Sequence, residues 1–279
     1  MKGPYVTHVE TRHAIHPNHA RGMGTMELRQ QFLVEGLFAD GEIRLTYTHY
    51  DRFVVGAAVP GGASLVLGAI AETKTPNFMD RREMGIVNIG GEGRVEAAGQ
   101  AWNMQAGDVL YLGMGAGPVN FSGNGRFYLT SAPAHRALPH RLITVSEAKQ
   151  VQLGSVETSN KRTIKQFIHP LVMESCQLIL GYTTLEDGSV WNTMPAHIHD
   201  RRMEAYLYHG MAQESRVLHL MGEPQETRHI FVANEQAVLS PPWSIHAGAG
   251  IGGYTFIWAM AGDNVDYTDM DFIQPADLK

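Results

Sequence analysis

Two segments, DRREMGIVNIGG from Asp80 and DRRMEAYLYHGM from Asp200, lie 120 residues apart and keep Gly90 and Gly210 in the same register. A repeat of that period confines the chain to two copies of one structural plan. A second pair supports it. AGDVLYLGMGAG from Ala106 and NEQAVLSPPWSIHAGAG from Asn234 both carry a hydrophobic strand into a glycine-rich turn. Around these pairs the chain is a succession of short β-rich runs, such as EIRLTYTHYDRFVVGAAV, RFYLTSAP, SRVLHLMG and YTFIWAM, parted by Gly, Pro and Asn turns. The low charged fraction of 18%, with 30 Gly and 13 Pro, suits strands and turns better than long solvated helices. The expected fold is mainly β, two barrels in tandem with a few short helices.

Boundaries follow from where the rhythm fails. Residues 1–24 have no apolar periodicity and hold His8, His13, His16 and His19, which reads as a loosely structured N-terminal arm or an extended segment docking on a neighbour, rather than as a metal site. The first β domain is expected over 25–145. It opens with a helix in TMELRQQFLVEGLF, where Thr25 can cap and Leu28, Phe32, Leu33 and Leu37 recur at helical spacing. Residues 146–163 are polar and read as a linker, and 164–279 form the second domain. The single Cys176, in the apolar run LVMESCQLILGY, reads as a small buried strand residue and allows no internal disulfide. A net charge of −6 without basic runs excludes a general nucleic-acid binder. No apolar run reaches a membrane span, and the N-terminus lacks the apolar core of a signal peptide, so a cytoplasmic protein is expected.

The second copy carries chemistry that the first does not. In NTMPAHIHDRRMEAYLY, His197 and His199 are two apart, so on a strand they share a face with Thr193, and Glu204 opens the following strand with Tyr206 on its face. With 14 His in the chain, about 0.7 H-x-H pairs arise by chance, so spacing alone decides nothing. Antiparallel pairing across the DRRM turn is expected to bring Glu204 opposite the histidines. His246 follows two prolines in SPPWSIHAG, at a strand rim where binding sites tend to lie. Three imidazoles and a carboxylate suit a borderline divalent ion such as zinc, manganese, iron or nickel. At the 120-residue offset the first copy has Asn77, Met79 and Met84 in place of His197, His199 and Glu204, so the donors are an addition to the scaffold.

The spacing of Gly188, His197, His199, Glu204 and Gly210, followed by Pro241 and His246, resembles the two cupin motifs, with a longer gap from Gly188 to His197 and Asn234 where a Gly usually opens the second motif. The longer blocks WNTMPAHIHDRRMEAYLY, GEPQETRHIFVANEQAVLSPPWSIHAG and YTFIWAMAGDN, with LRQQFLVEGLF, YDRFVVGAAVP, RREMGIVNIGG and SAPAH earlier, are similar to the 5-keto-4-deoxyuronate isomerase family. The resemblance covers nearly the whole chain. It implies two cupin-type double-stranded β-barrel (jelly-roll) domains, the first without metal ligands. It also implies one zinc ion per chain on His197, His199, Glu204 and His246, a homohexamer, and a role in pectin and uronate degradation. The implied reaction is an aldose–ketose isomerisation of 5-dehydro-4-deoxy-D-glucuronate to 3-deoxy-D-glycero-2,5-hexodiulosonate.

Such a reaction needs an acidified C2 hydrogen and a stabilised enediolate, which a chelating Lewis acid supplies. The proton-carrying residue stays open between Glu204 and Glu226, and a hydride shift would need no carbon-proton base. The substrate carboxylate calls for a cation, with Arg162, Arg201, Arg202 and Arg228 as candidates, while Thr193 and Tyr206 are candidate hydrogen-bond donors. For each arginine singly, a solvated or structural ion-pair role outweighs the binding one. Three other readings of the same motifs are a 5-deoxyglucuronate isomerase, an iron cupin dioxygenase and a sugar-binding cupin with a structural metal.

Overall fold

The computed structural model of the chain describes residues 7–279. They fall into two compact units, one comprising the residues up to His13, Gly36–Ala148 and Phe167–Leu178, the other Ala14–Glu35, Lys149–Gln166 and Ile179–Lys279. The division differs from the linear cut at 25–145 and 164–279. The helix expected to open the first domain belongs to the second unit, and Phe167–Leu178, near the start of the expected second domain, belong to the first. Leu33 and Val34 draw the helix into the second unit by completing its sheet edge, while Glu83 holds the backbone of residues 176–178 in the first.

In the first unit a seven-stranded sheet runs Thr7–Arg12, Glu42–Thr48, Val54–Val59, Phe127–Pro133, Arg82–Asn88, Val109–Leu112, Arg141–Ile143. A four-stranded sheet runs Leu65–Leu67, Val119–Gly123, Gly93–Ala97, Gln100–Met104. One apolar cluster draws on both, with Leu45, Met84, Ile86, Leu110 and Phe127 from the larger sheet and Leu65, Val95, Val119 and Phe121 from the smaller. The two sheets therefore close on a filled, predominantly hydrocarbon interior.

The second unit repeats the plan. Its seven-stranded sheet runs Lys149–Leu153, Arg162–Ile168, Ile179–Leu185, Thr255–Gly262, Arg202–His209, Gln236–Ser240, Leu33–Val34. Its other sheet runs Asp271–Phe272, Trp191–Ile198, His246–Ala249, Val217–Glu223, Glu226–Val232. The repeated strands Arg82–Asn88 and Arg202–His209 hold the same fifth place in their sheets, and both begin at the 120-residue offset. The sheets keep open edges rather than closing into continuous barrels, and helix is confined to Pro17–Ala20, Thr25–Phe32 and two 3-10 turns among the described residues.

Local departures have local causes. The helix ends at Phe32, because Leu33 and Val34 leave it to pair with Val238 and Ala237, and Gly24 rather than Thr25 is its N-cap. Within the expected arm, residues 1–6 lie outside the described residues. Thr7–Arg12 pairs in parallel with Ile43–Thr48. His8 faces Glu42, His13 stacks on His49, His16 caps the short helix and His19 faces Glu27, so these imidazoles sit in separate local contacts. The expected linker supplies the edge strand Lys149–Leu153. Cys176 is not on a strand. It is half-exposed in the loop before Ile179 and lends its backbone N–H to Glu83.

Glu83 is the one acid wholly buried in the first unit's sheet. Its carboxylate accepts from Tyr111 Oη at 2.6 Å and from the backbone N–H groups of Cys176, Gln177 and Leu178 at 2.8, 2.7 and 2.8 Å. Burial, and then the neighbouring Glu83 charge, pushes the Tyr111 phenol far up, so it stays a donor. These bonds fasten residues 167–178 to the unit. Glu83→Gln turns one acceptor oxygen into a donor facing donors, and is expected to cost about 2–4 kcal/mol. An unchanged unfolding midpoint in urea would show that the carboxylate is dispensable.

Candidate metal centre

Period-two alternation builds the interior face of the second unit. Along Arg202–His209 the residues Arg202, Glu204, Tyr206 and Tyr208 point the same way, and opposite them on the neighbouring strand lie Gly262, Met260, Trp258 and Phe256. The facing sheet contributes His197 at the end of Trp191–Ile198, His246 at the start of His246–Ala249, and His219 in the middle of Val217–Glu223. His199 follows the first of these strands directly.

His197, His199, Glu204 and His246 each offer one ligand atom, and those atoms all lie within 4.8 Å of one another. It is the one such group among the described residues, and all four residues are buried. The expectation that Glu204 meets the histidines along a hairpin is corrected. Glu204 pairs with Ser240 and Met260 in one sheet, while His197 pairs with His246 and Phe272 in the other. The turn through Asp200 crosses between sheets, and the carboxylate faces the imidazoles across the sandwich.

The imidazoles are oriented from behind. His197 Nδ1 lies 3.3 Å from Thr193 Oγ1, His199 Nδ1 3.0 Å from the Asp269 carbonyl, and His246 Nδ1 3.2 Å from Ser240 Oγ. With Nδ1–H donating outward in each ring, Nε2 carries a lone pair directed inward. His246 Nε2 lies 2.9 Å from His197 Nε2, and Glu204 Oε2 lies 3.2 Å from His199 Nε2 and 3.0 Å from His246 Nε2. Oε2 has no hydrogen-bond partner of acceptable geometry. Burial pushes His197 down to about 2, with His246 and His199 adding to the effect, and burial likewise lowers His246. Burial alone would raise Glu204, but His246 and His199 outweigh it and hold the carboxyl well below its usual range. Four electron-pair donors thus converge, an arrangement that a cation stabilises and that fits a divalent metal ion.

The remaining candidates separate clearly. Tyr206 is buried on the same strand face as Glu204, and burial, then the Glu204 charge, raises its phenol far above the ordinary value. Arg202 is 1% exposed. Its Nη2 donates to the Asp269 carbonyl at 3.1 Å, and its Nε and Nη1 have no partner. Arg162 is half-buried and gives one N–H to the Asn160 carbonyl, while its Nε is buried without a partner. Arg201 is exposed in an ion pair with Asp263. Arg228 pairs with Glu226 and donates to the Arg21 carbonyl. Glu226 is on the exposed face of its strand and lines a surface pocket of about 470 Å³ with Arg21, Glu223 and Asp277. The structure does not bring Glu226 into the cluster.

His219 went unnoticed in the sequence. It is fully buried, its Nδ1 lies 2.8 Å from Tyr208 Oη, and its Nε2 has no partner. The signal was there in SRVLHLMG, where His219 shares parity with the buried Val217 and Met221. Tyr208 Oη has no other hydrogen bond among the described residues, so it donates to Nδ1 and leaves Nε2–H as a free donor. Burial pushes His219 down to about 3 and keeps it neutral. The contribution of Asp269 comes from a main-chain carbonyl, which no side-chain pattern announces.

In the first unit, Asn77 caps the 3-10 turn Phe78–Arg81 by exchanging hydrogen bonds with Asp80, and Met79 and Met84 lie in the apolar cluster. At two of the three positions at the 120-residue offset, Met79 and Met84, the first unit therefore has hydrocarbon where the second has donors, and at the third Asn77 caps a turn.

A model of the KduI/IolB family matches residues 32–275. The chain is 69% identical over 271 residues to the 4-deoxy-L-threo-5-hexosulose-uronate ketol-isomerase of Agrobacterium fabrum, covering 97% of this chain and 99% of that one. It is 62% identical over 274 residues to the enzyme of the same name from Cereibacter sphaeroides, covering 98% and 100%. Among solved structures, an IolB-like protein from Salmonella typhimurium superposes with a TM-score of 0.67 at 20% identity, over 79% of this chain and 86% of that one, and so shares its fold.

His199→Ala is expected to abolish retention of a metal ion through dialysis while leaving the circular dichroism spectrum unchanged, whereas Asn77→Ala retains the ion. Metal analysis of the two variants decides it. Loss of metal in Asn77→Ala would remove the distinction between the units.

Proposed function

The chain belongs to the KduI/IolB family, and we infer that it is a ketol-isomerase acting on 4-deoxy-L-threo-5-hexosulose uronate. It moves the carbonyl from C1 to C2 and yields 3-deoxy-D-glycero-2,5-hexodiulosonate. The observation that carries this reading is 69% identity along nearly the full length of a ketol-isomerase, in a chain whose second unit buries the His197, His199, Glu204 and His246 cluster. Zinc is the ion of choice for three neutral imidazoles and one carboxylate. A cytoplasmic site of action in uronate degradation accords with the half-exposed free thiol of Cys176, which suits a reducing compartment. A homohexamer is part of the same reading.

When bound, the ion supplies Lewis acidity to the adjacent aldehyde and hydroxyl oxygens of the open-chain sugar. The chain's own residues do the rest. Arg202 and Arg162 hold unpaired buried N–H groups, the hydrogen-bonding capacity that a uronate carboxylate satisfies. The neutral Nε2–H of His219 donates to oxygen as negative charge develops there, as a neutral imidazole can without first losing a proton. Of the two candidate acids, Glu204 alone faces the interior, and Tyr206, two residues on along the same strand face, offers a hydroxyl to relay a proton passing between C1 and C2. Trp258 and Met260, buried on the adjoining strand, keep bulk water from the reacting carbons.

The direct test is anaerobic incubation of metal-replete protein with the spontaneously opened monomer of unsaturated galacturonate, following loss of the aldehyde. Turnover without oxygen is expected. An oxygen requirement would mark a dioxygenase, turnover of 5-deoxyglucuronate alone would mark the sister activity, and no turnover would refute the isomerase. Tyr206→Phe is expected to lower kcat by about 100-fold or more with zinc content unchanged. An undiminished kcat would remove Tyr206 from the proton path.

A further inference from the structure

The chain that follows the strand Thr255–Gly262 touches His199 and His197 and packs on the chain neighbours of His246. The Asp269 carbonyl lies 3.0 Å from His199 Nδ1 and 3.1 Å from Arg202 Nη2, and the turn presenting it is fixed by Asn264 Nδ2 donating to Asp269 Oδ2 at 2.7 Å. Two residues on, Asp271–Phe272 pairs with Trp191–Ile198 and sets Phe272 opposite His197, their ring centroids 5.6 Å apart. Ile273 N donates to the Ala196 carbonyl at 2.9 Å. Ile273 and Leu278 then pack on Ala196, Ile245 and Ala247, the last two being the chain neighbours of His246. The far end is tied down by Lys279 N to the Pro224 carbonyl at 3.0 Å and Thr227 N to the Lys279 carbonyl at 3.1 Å.

Two observations set this apart from ordinary packing of a terminus. The smaller sheet of the first unit has four strands and none in the place of Asp271–Phe272, so the added strand occurs in the copy that carries the four donors. Phe272 also remains 56% exposed, so burial of its ring gains little, and the contact it does make is with His197.

We propose that residues 263–279 form a clasp that positions His197 and His199 and sets how long the cluster retains its metal ion. The proposal rests on reading the cluster as a metal centre. For an ion to leave, one imidazole has to turn its lone pair away. His199 cannot turn while Nδ1–H is held by Asp269, nor His197 while Phe272 lies against its ring, so release waits for the tail to lift. Phe272 and Asn264 are positioning residues, acting through the histidines and the Asp269 carbonyl.

The test loads the full-length protein with zinc, mixes it with excess 4-(2-pyridylazo)resorcinol and follows the rate of zinc transfer. Phe272→Ala, Asn264→Ala and deletion of residues 276–279 are each expected to speed release about tenfold or more, the scale on which loss of a ligand's supporting contact weakens a metal site. Glu83→Gln, which loosens the first unit without touching the tail, is expected to release zinc at the wild-type rate. Equal rates in wild type, Phe272→Ala and Asn264→Ala would overturn the clasp, and so would equal acceleration by Glu83→Gln, which would trace release to general loosening. Wild-type protein that holds no zinc before mixing would overturn the metal reading and the clasp with it, and the zinc content at time zero tells that outcome apart.

Discussion

Lone pairs brought together in a buried space repel one another unless something positive sits among them. In the second unit three imidazole nitrogens and a carboxylate oxygen are directed at one another inside a sandwich where no water competes. Thr193, Ser240 and the Asp269 carbonyl stand beside the outward-facing nitrogens and orient the rings. Much else in the unit follows from this demand. Tyr206 lies buried on the strand face of Glu204, His219 is kept neutral by its depth, and Arg202 keeps N–H groups that protein atoms leave unanswered. An unpaired buried guanidinium is costly, a cost that the proposed uronate carboxylate would offset.

The duplication explains how a fold tolerates so costly an interior. Both units use the same order of strands, and the first shows what the scaffold needs for itself, a hydrocarbon filling that includes Met79, Met84, Ile86 and Val95. Its buried acid, Glu83, faces protein donors and is fully answered by them. In the second unit the corresponding faces carry Glu204, Tyr206, Tyr208 and His219. The donors are therefore separable from the architecture, since one copy stands without them.

Much of this was legible in the sequence, and for definite reasons. Alternation along MEAYLYHG and the 120-residue repeat are local patterns, so the strands and their duplication could be read directly. His197, His199, Glu204 and His246 stood out because the second copy departs from the first at three of those positions. What failed was everything decided at long range. Nothing in TMELRQQFLVEGLF announces that Leu33 and Val34 will close the sheet edge beside Ala237 and Val238. Reading Glu204 across a hairpin assumed that consecutive strands pair, whereas the Asp200 turn passes between sheets. Glu226 was credited for its charge alone, and its strand turns that charge to the surface, where Arg228 takes it. His219 was overlooked because one polar residue in an apolar alternation reads as an ordinary core position.

The central claim is that a single cation is shared by three imidazoles, each through Nε2, and one carboxylate. X-ray absorption at the zinc edge of the loaded protein tests it most directly. The account predicts light scatterers only, with multiple scattering from three imidazoles at about 2.0–2.1 Å and an oxygen at about 2.0–2.2 Å. A sulfur scatterer at about 2.3 Å, or a shell with fewer than three imidazoles, would contradict it.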